Sequence, residues 1–207
     1  MSGAGDLEFI GDIGSLETLY AKPGEASLVK VARRMTPLYR RWIMASRFCV
    51  LTTVGPEGVD GSPRGDDGPV VLELDEGTLA LPDWRGNQRI DSLRNIVRDP
   101  RVALMFMVPG SNNVVRVNGR ARVTADEALR GRFEKNGKTP ATVIVIEIGE
   151  IYSQCARAVM RAGLWAAGDE SGGLPSVGDM LAEMTGGRID GKAYDEEWPG
   201  RAAKTMW

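Results

Sequence analysis

Six short apolar runs, at residues 48–54, 69–74, 78–81, 101–108, 114–124 and 142–152, crowd the middle of this 207-residue chain. Only two helix-like stretches, 87–98 and 125–135, fall between them. The runs favour Val, Ile, Leu and Thr and are bounded by Gly, Pro and Asp, the composition of strands on a pleated surface. A doubly wound parallel sheet needs a helix at each crossover, so this order argues against one. It predicts a mainly β fold with flanking helices: a six-stranded antiparallel sheet curving into a barrel.

Local signals refine that picture. In 114–124, Val115, Val117, Ala121 and Val123 point one way on either side of Gly119, and Arg116 and Asn118 share the opposite face. Asp75, Glu76 and Gly77 join two runs as a hairpin. Thr36 and Pro37 suit the N-cap and first turn of a helix. Asn87 suits the N-cap of 87–98, whose stripe is Ile90, Leu93 and Ile96 or Val97 and whose stop is Asp99-Pro100. Residues 155–165 are helical in composition, and Ser176 caps a last helix ended by Gly186-Gly187. The expected organisation is one domain over 1–207: a Gly-rich arm and helices to residue 47, a barrel core over 48–152, and a helical extension over 153–207.

Chemistry is constrained by a zero: the chain has no His. That removes Ser–His–Asp and Cys–His catalysis, His-ligated zinc and His-ligated haem. Two cysteines, Cys49 and Cys155, cannot form a four-Cys metal site or a disulfide scaffold, and read as free thiols of a reducing compartment. The acidic residues show no metal-ligand spacing, so no metal is expected. With 26 basic and 28 acidic residues the net charge is −2, which gives no case for nucleic acid or a membrane surface. No apolar run approaches a membrane span, and the first residues lack a basic, apolar leader pattern, so the expected location is the cytoplasm. Any difficult chemistry would then come from an organic cofactor.

Four places could hold one. In 82–89, Gly86, Arg85 and Asn87 stand at the entrance of a helix on which Arg89 and Ser92, three apart, share one face; this suits an anion cradle, or a capped surface helix with solvated arginines. Arg64 lies in a Ser-Pro-Arg-Gly-Asp loop, where it either reaches an anion or pairs with Asp66 or Asp67. Arg116 and Asn118 share a strand face that is either solvated or the lining of a groove. Arg157 and Arg161 are four apart on one helix face after Cys155, itself a reactive thiol or a small core residue.

The order of these pieces carries a resemblance. Ser62-Pro63-Arg64-Gly65-Asp66, Leu81-Pro82-Asp83, Gly86-Asn87-Gln88-Arg89 through Ser92-Leu93-Arg94-Asn95-Ile96, Asp99-Pro100-Arg101-Val102, Arg116-Val117-Asn118-Gly119-Arg120 and Cys155-Ala156-Arg157 through Arg161 and Leu164-Trp165 follow one another. Over residues 28–207 the chain resembles the pyridoxamine 5′-phosphate oxidase-like FMN-binding split-barrel family, in its bacterial branch with long terminal extensions. The resemblance implies a homodimer with FMN at the subunit interface. It implies cofactor contacts from Arg64, Asp66, Asp83, Asn87, Arg89, Ser92, Arg116, Cys155, Arg157 and Arg161, and it assigns no catalytic residue. The oxidases' Arg–His substrate pair has no counterpart here, and Gln154 stands where similar chains often carry His. The implied activity is FMN-dependent oxidation or reduction of a small molecule other than pyridoxamine phosphate, with reduced nicotinamide as a possible electron donor. A flavin-binding or storage protein without a substrate is the alternative.

Overall fold

The computed structural model describes residue 5 and residues 7–206. The chain divides into two compact units, Met1–Val31 and Ala32–Trp207. The first holds two single-turn helices, α1 (Ile13–Glu17) and α2 (Glu25–Val29), neither with a buried residue. The Asp12 side chain caps α1 by accepting from the Ser15 N–H at 2.9 Å.

The second unit opens with α3 (Pro37–Met44), begun as expected by the Thr36 cap and Pro37. Then come β1 (Phe48–Gly55), β2 (Gly58–Gly65), β3 (Leu72–Asp75), β4 (Thr78–Asp83), α4 (Asp91–Arg98), β5 (Arg101–Met107), β6 (Val114–Thr124), α5 (Glu127–Gly131) and β7 (Thr142–Gln154). Helices α6 (Arg157–Arg161), α7 (Val177–Met184) and α8 (Gly191–Thr205) close it. The seven strands form one sheet in the order β2-β1-β5-β6-β7-β4-β3, antiparallel at every pairing. Among the described residues β2 and β3 are its edges, so hydrogen bonding does not close the sheet into a barrel.

Alternation sets the two faces. Cys49 and Leu51, Leu104 and Phe106, Val115 and Val117, and Ile144 and Ile146 point inward and are fully buried. Helix α3 is tied on by the Tyr39 hydroxyl, which accepts from the Ser153 N–H at 3.2 Å, and by Arg40, which grips Glu73 through two bonds of 2.6 Å. A bulge between Asn118 and Gly119 shifts the register of β6 on β7. A Cβ at 119 would overlap the Glu147 carbonyl, so only Gly fits there.

The mainly β class with flanking helices is as expected, but the sheet has seven strands, not six. The extra one is β2, whose Gly58, Gly61, Pro63 and Gly65 look like a loop. Proline is tolerated because β2 is an edge and its register comes from β1. Helix α4 begins at Asp91, not Asn87. The expected helix at 125–135 shrinks to α5, and 155–165 to the single turn α6. The Ser176 cap holds, with a full capping box to Asp179. Helix α8, interrupted in sequence by Pro199, lies beyond what the pattern foretold.

Candidate functional site

Strand β2 turns Asp60, Ser62 and Arg64 to one side, with Arg64 in register with buried Cys49. The Arg64 guanidinium crosses to the end of β4 and donates to Asp83 at 2.6 Å. Both side chains are only 17% exposed. Among the described residues, Arg64 Nε is buried without a hydrogen-bond partner. Burial pushes the Cys49 thiol up to about 12, against the pull of the Arg64 charge. Asp66, just past β2, accepts from Trp84 Nε1 at 3.2 Å and from Lys135, which also bridges to Asp67. The Lys135 ammonium holds the Asp67 carboxyl below its ordinary range. Arg64, Asp66 and Asp83 thus meet at one end of the sheet. Lys135 was not expected there: it stands 69 residues from Asp66, and no local pattern connects them.

The helix entrance differs from expectation. Asn87 Oδ1 accepts from the Arg89 N–H at 3.1 Å, a local turn before the helix rather than its cap. Gln88 (φ 64°) and Ile90 (φ 52°) then adopt left-handed backbone, and α4 starts after them. Arg89 and Ser92 therefore do not share a helix face. Arg89 is 74% exposed and pairs with Asp91 at 2.7 Å. Ser92 is buried and donates to Asp60 at 2.5 Å, which ties α4 to β2.

A different place has the shape of a binding groove. On the outward face, Val50, Met105, Arg116 and Tyr152 stand in one row across β1, β5, β6 and β7. A groove of ≈ 260 Å³ opens here, lined by Val50, Thr52, Ala103, Leu104, Met105, Arg116 and Gln154. Its floor is apolar and its polar end is Arg116, whose guanidinium lies 5.5 Å from the Tyr152 ring centroid. In the next row Asn118 donates to Glu150 at 2.7 Å, while its Oδ1 is buried with no partner among the described residues. Sequence periodicity had placed Arg116 and Asn118 on this face; Val50, Met105 and Tyr152 come only with the strand order.

Beyond β7, Cys155 is an exposed free thiol, and Arg157 and Arg161 are exposed on α6. The ten expected contact residues thus fall into groups: the Arg64 end, the α4 entrance, and the outward groove with the segment after it. Among the described residues no cluster of His, Cys, Asp and Glu could hold a metal ion. None of the described helices is long and apolar enough to cross a membrane.

No curated protein matches this chain. Solved structures that resemble it include HupZ of Group A Streptococcus, with 17% identity and a TM-score of 0.48 over 57% of this chain and 93% of that one. General Stress Protein 26 from Bacillus anthracis has 20% identity and a TM-score of 0.43 over 55% of this chain and 88% of its own. An FMN-binding protein from Syntrophomonas wolfei has 15% identity and a TM-score of 0.40 over 56% and 88%. The family model described as pyridoxamine 5′-phosphate oxidase matches residues 35–155, from the residue before the Thr36 cap to the thiol beyond β7. With more than half of its length inside that match, the chain belongs to the pyridoxamine 5′-phosphate oxidase family.

Proposed function

We propose that this chain is an FMN-dependent oxidoreductase, working as a cytoplasmic homodimer on a small molecule other than pyridoxamine phosphate. The observation that carries this reading is the outward groove: an apolar floor of Val50 and Met105 ending in Arg116 on Tyr152. At ≈ 260 Å³ it falls below the roughly 300–1,000 Å³ of pockets that enclose a ligand. Phe48 and Met105 on the same face are partly exposed apolar side chains. A second copy laid on this face would give the groove its missing wall.

The residues fit FMN. A flavin has an apolar ring, carbonyl acceptors, one N–H donor and a phosphate. Val50 and Met105 suit the ring, Arg116 and the Gln154 amide supply donors, and the orphaned Asn118 Oδ1 is an acceptor without a donor. The Arg64 Nε, also without an acceptor among the described residues, lies on the inward side with Cys49, away from this groove. Arg89, Arg157 and Arg161 are exposed cations available to a phosphate, Arg89 at the loss of one surface ion pair. Bound FMN supplies the two-electron chemistry, so a chain without His lacks nothing essential. The Arg116 guanidinium lies over the Tyr152 ring at the groove, whose apolar floor would shield a bound ring from water. Cys155, free and exposed, suits a reducing compartment.

Pyridoxamine phosphate is excluded as substrate in this reading because the oxidases' Arg–His pair has no counterpart. Anaerobic mixing of the flavin-loaded protein with NADH or NADPH tests the enzyme reading. Bleaching of the flavin absorbance is expected. An unreduced flavin with both donors would favour the flavin-storage alternative.

A further inference from the structure

A second groove, of ≈ 320 Å³, lies beside α3. Leu38, Arg41, Trp42 and Ala45 form one wall, and Val108 and Ser111, between β5 and β6, form the other. None of these six residues belongs to the site described above. Trp42 packs against the hydrophobic core, so its ring is a fixed apolar wall. Leu38 is 73% exposed and Ala45 is small, so the groove is open at its top. Ser111 is held in place because its carbonyl accepts from Trp165 Nε1 at 2.8 Å.

The polar side chains here are the Arg41 guanidinium and the Ser111 hydroxyl. Of the two successive arginines on α3, Arg40 is neutralised by Glu73 of β3. Arg41 lines the groove, and among the described residues no carboxylate pairs with it. Ser111 Oγ accepts from the Asn113 N–H at 3.3 Å, which leaves its own proton to donate. No acidic residue lines the groove. A fixed aromatic wall, an exposed Leu and an unneutralised guanidinium call for a ligand with an apolar body and a negative end.

We propose that this groove binds a small anionic amphiphile, its apolar or aromatic body on Leu38 and Trp42 and its single anionic group on Arg41. The site stands apart from the flavin reading: Met105 lines the first groove and Val108 the second, on successive stretches of the chain.

The probe is 8-anilinonaphthalene-1-sulfonate, titrated into the full chain by fluorescence, with neutral N-phenyl-1-naphthylamine as its uncharged counterpart. Saturable binding of about one sulfonate probe per chain is expected. Losing one charge-assisted contact in Arg41→Ala should weaken it by about tenfold and leave the neutral probe unchanged. Leu38→Glu, at an exposed position, should abolish sulfonate binding while the fold, followed by circular dichroism, stays intact. Equal sulfonate affinity in wild type and Arg41→Ala, or retained binding in Leu38→Glu, overturns the proposal. So does affinity that falls as the chain associates with itself, since the groove would then be an interface between copies. FMN affinity is measured in parallel on Arg41→Ala. It should match wild type, and failure of every variant to take up FMN would count against the flavin reading alone.

Discussion

Arg64 and Asp83 meet at 2.6 Å although four strands separate theirs, β2 and β4, in the sheet. Contact between these places requires the sheet to curl until its two ends face each other. Hydrogen bonding leaves β2 and β3 as open edges, so side chains join what the backbone does not. The Asp66 bonds to Trp84 and Lys135 add to the same seam.

Breaking that seam from one side should cost more than removing it whole. Arg64→Ala and Asp83→Ala each leave a mostly buried partner unsatisfied, at a cost of about 1–3 kcal/mol in urea unfolding. Arg64→Met with Asp83→Leu removes both charges, and the double variant should lose less than the sum of the single changes. Additive losses would show that the two groups do not depend on each other.

The central strands were legible because burial on one face imposes a strict period of two: Cys49 and Leu51 in β1, and Val115 and Val117 in β6, alternate cleanly. Strand β2 was not, because an edge takes its register from its neighbour and can carry Gly61 and Pro63. The start of α4 was misplaced for a different reason. Asn87 makes the side-chain bond of a capping residue, but to the N–H two residues on, and left-handed Ile90 delays the helix. For the candidate site, the Arg116–Asn118 face could be read from alternation. Its companions could not, since Val50, Met105 and Tyr152 reach Arg116 only through the strand order.

The two thiols should differ sharply. Cys49 is fully buried with its thiol pushed up to about 12, while Cys155 is exposed. One equivalent of an aromatic disulfide reagent should react quickly near pH 8 in the native protein, and two in denaturant. Two fast equivalents in the native protein would contradict the placement of Cys49. Cys155→Ala should keep flavin uptake and most turnover, since no His activates that thiol as a nucleophile.

Acid sensitivity has an assignable component. The Arg101 side chain, and then its backbone N–H, hold the Asp99 carboxyl at about 2, below its usual 3.8. A folded-state value below the unfolded one adds stability that is complete above the unfolded value and is lost as pH falls from about 4 toward about 2. Asp99→Asn should therefore unfold at lower urea than wild type near neutral pH, and the gap should close toward about pH 2. A gap that persists there would mean that Asp99 acts through packing rather than charge.

Titration of the flavin-free protein with FMN, followed by flavin fluorescence, tests the central claim most directly. Wild type should quench the flavin to saturation at about one FMN per chain. Arg116→Ala should weaken binding by roughly 10- to 100-fold, the equivalent of about 1.5–3 kcal/mol for a charge-assisted hydrogen bond. Fluorescence that rises as free flavin from the first addition, or equal affinity in wild type and Arg116→Ala, would contradict the assignment of this groove.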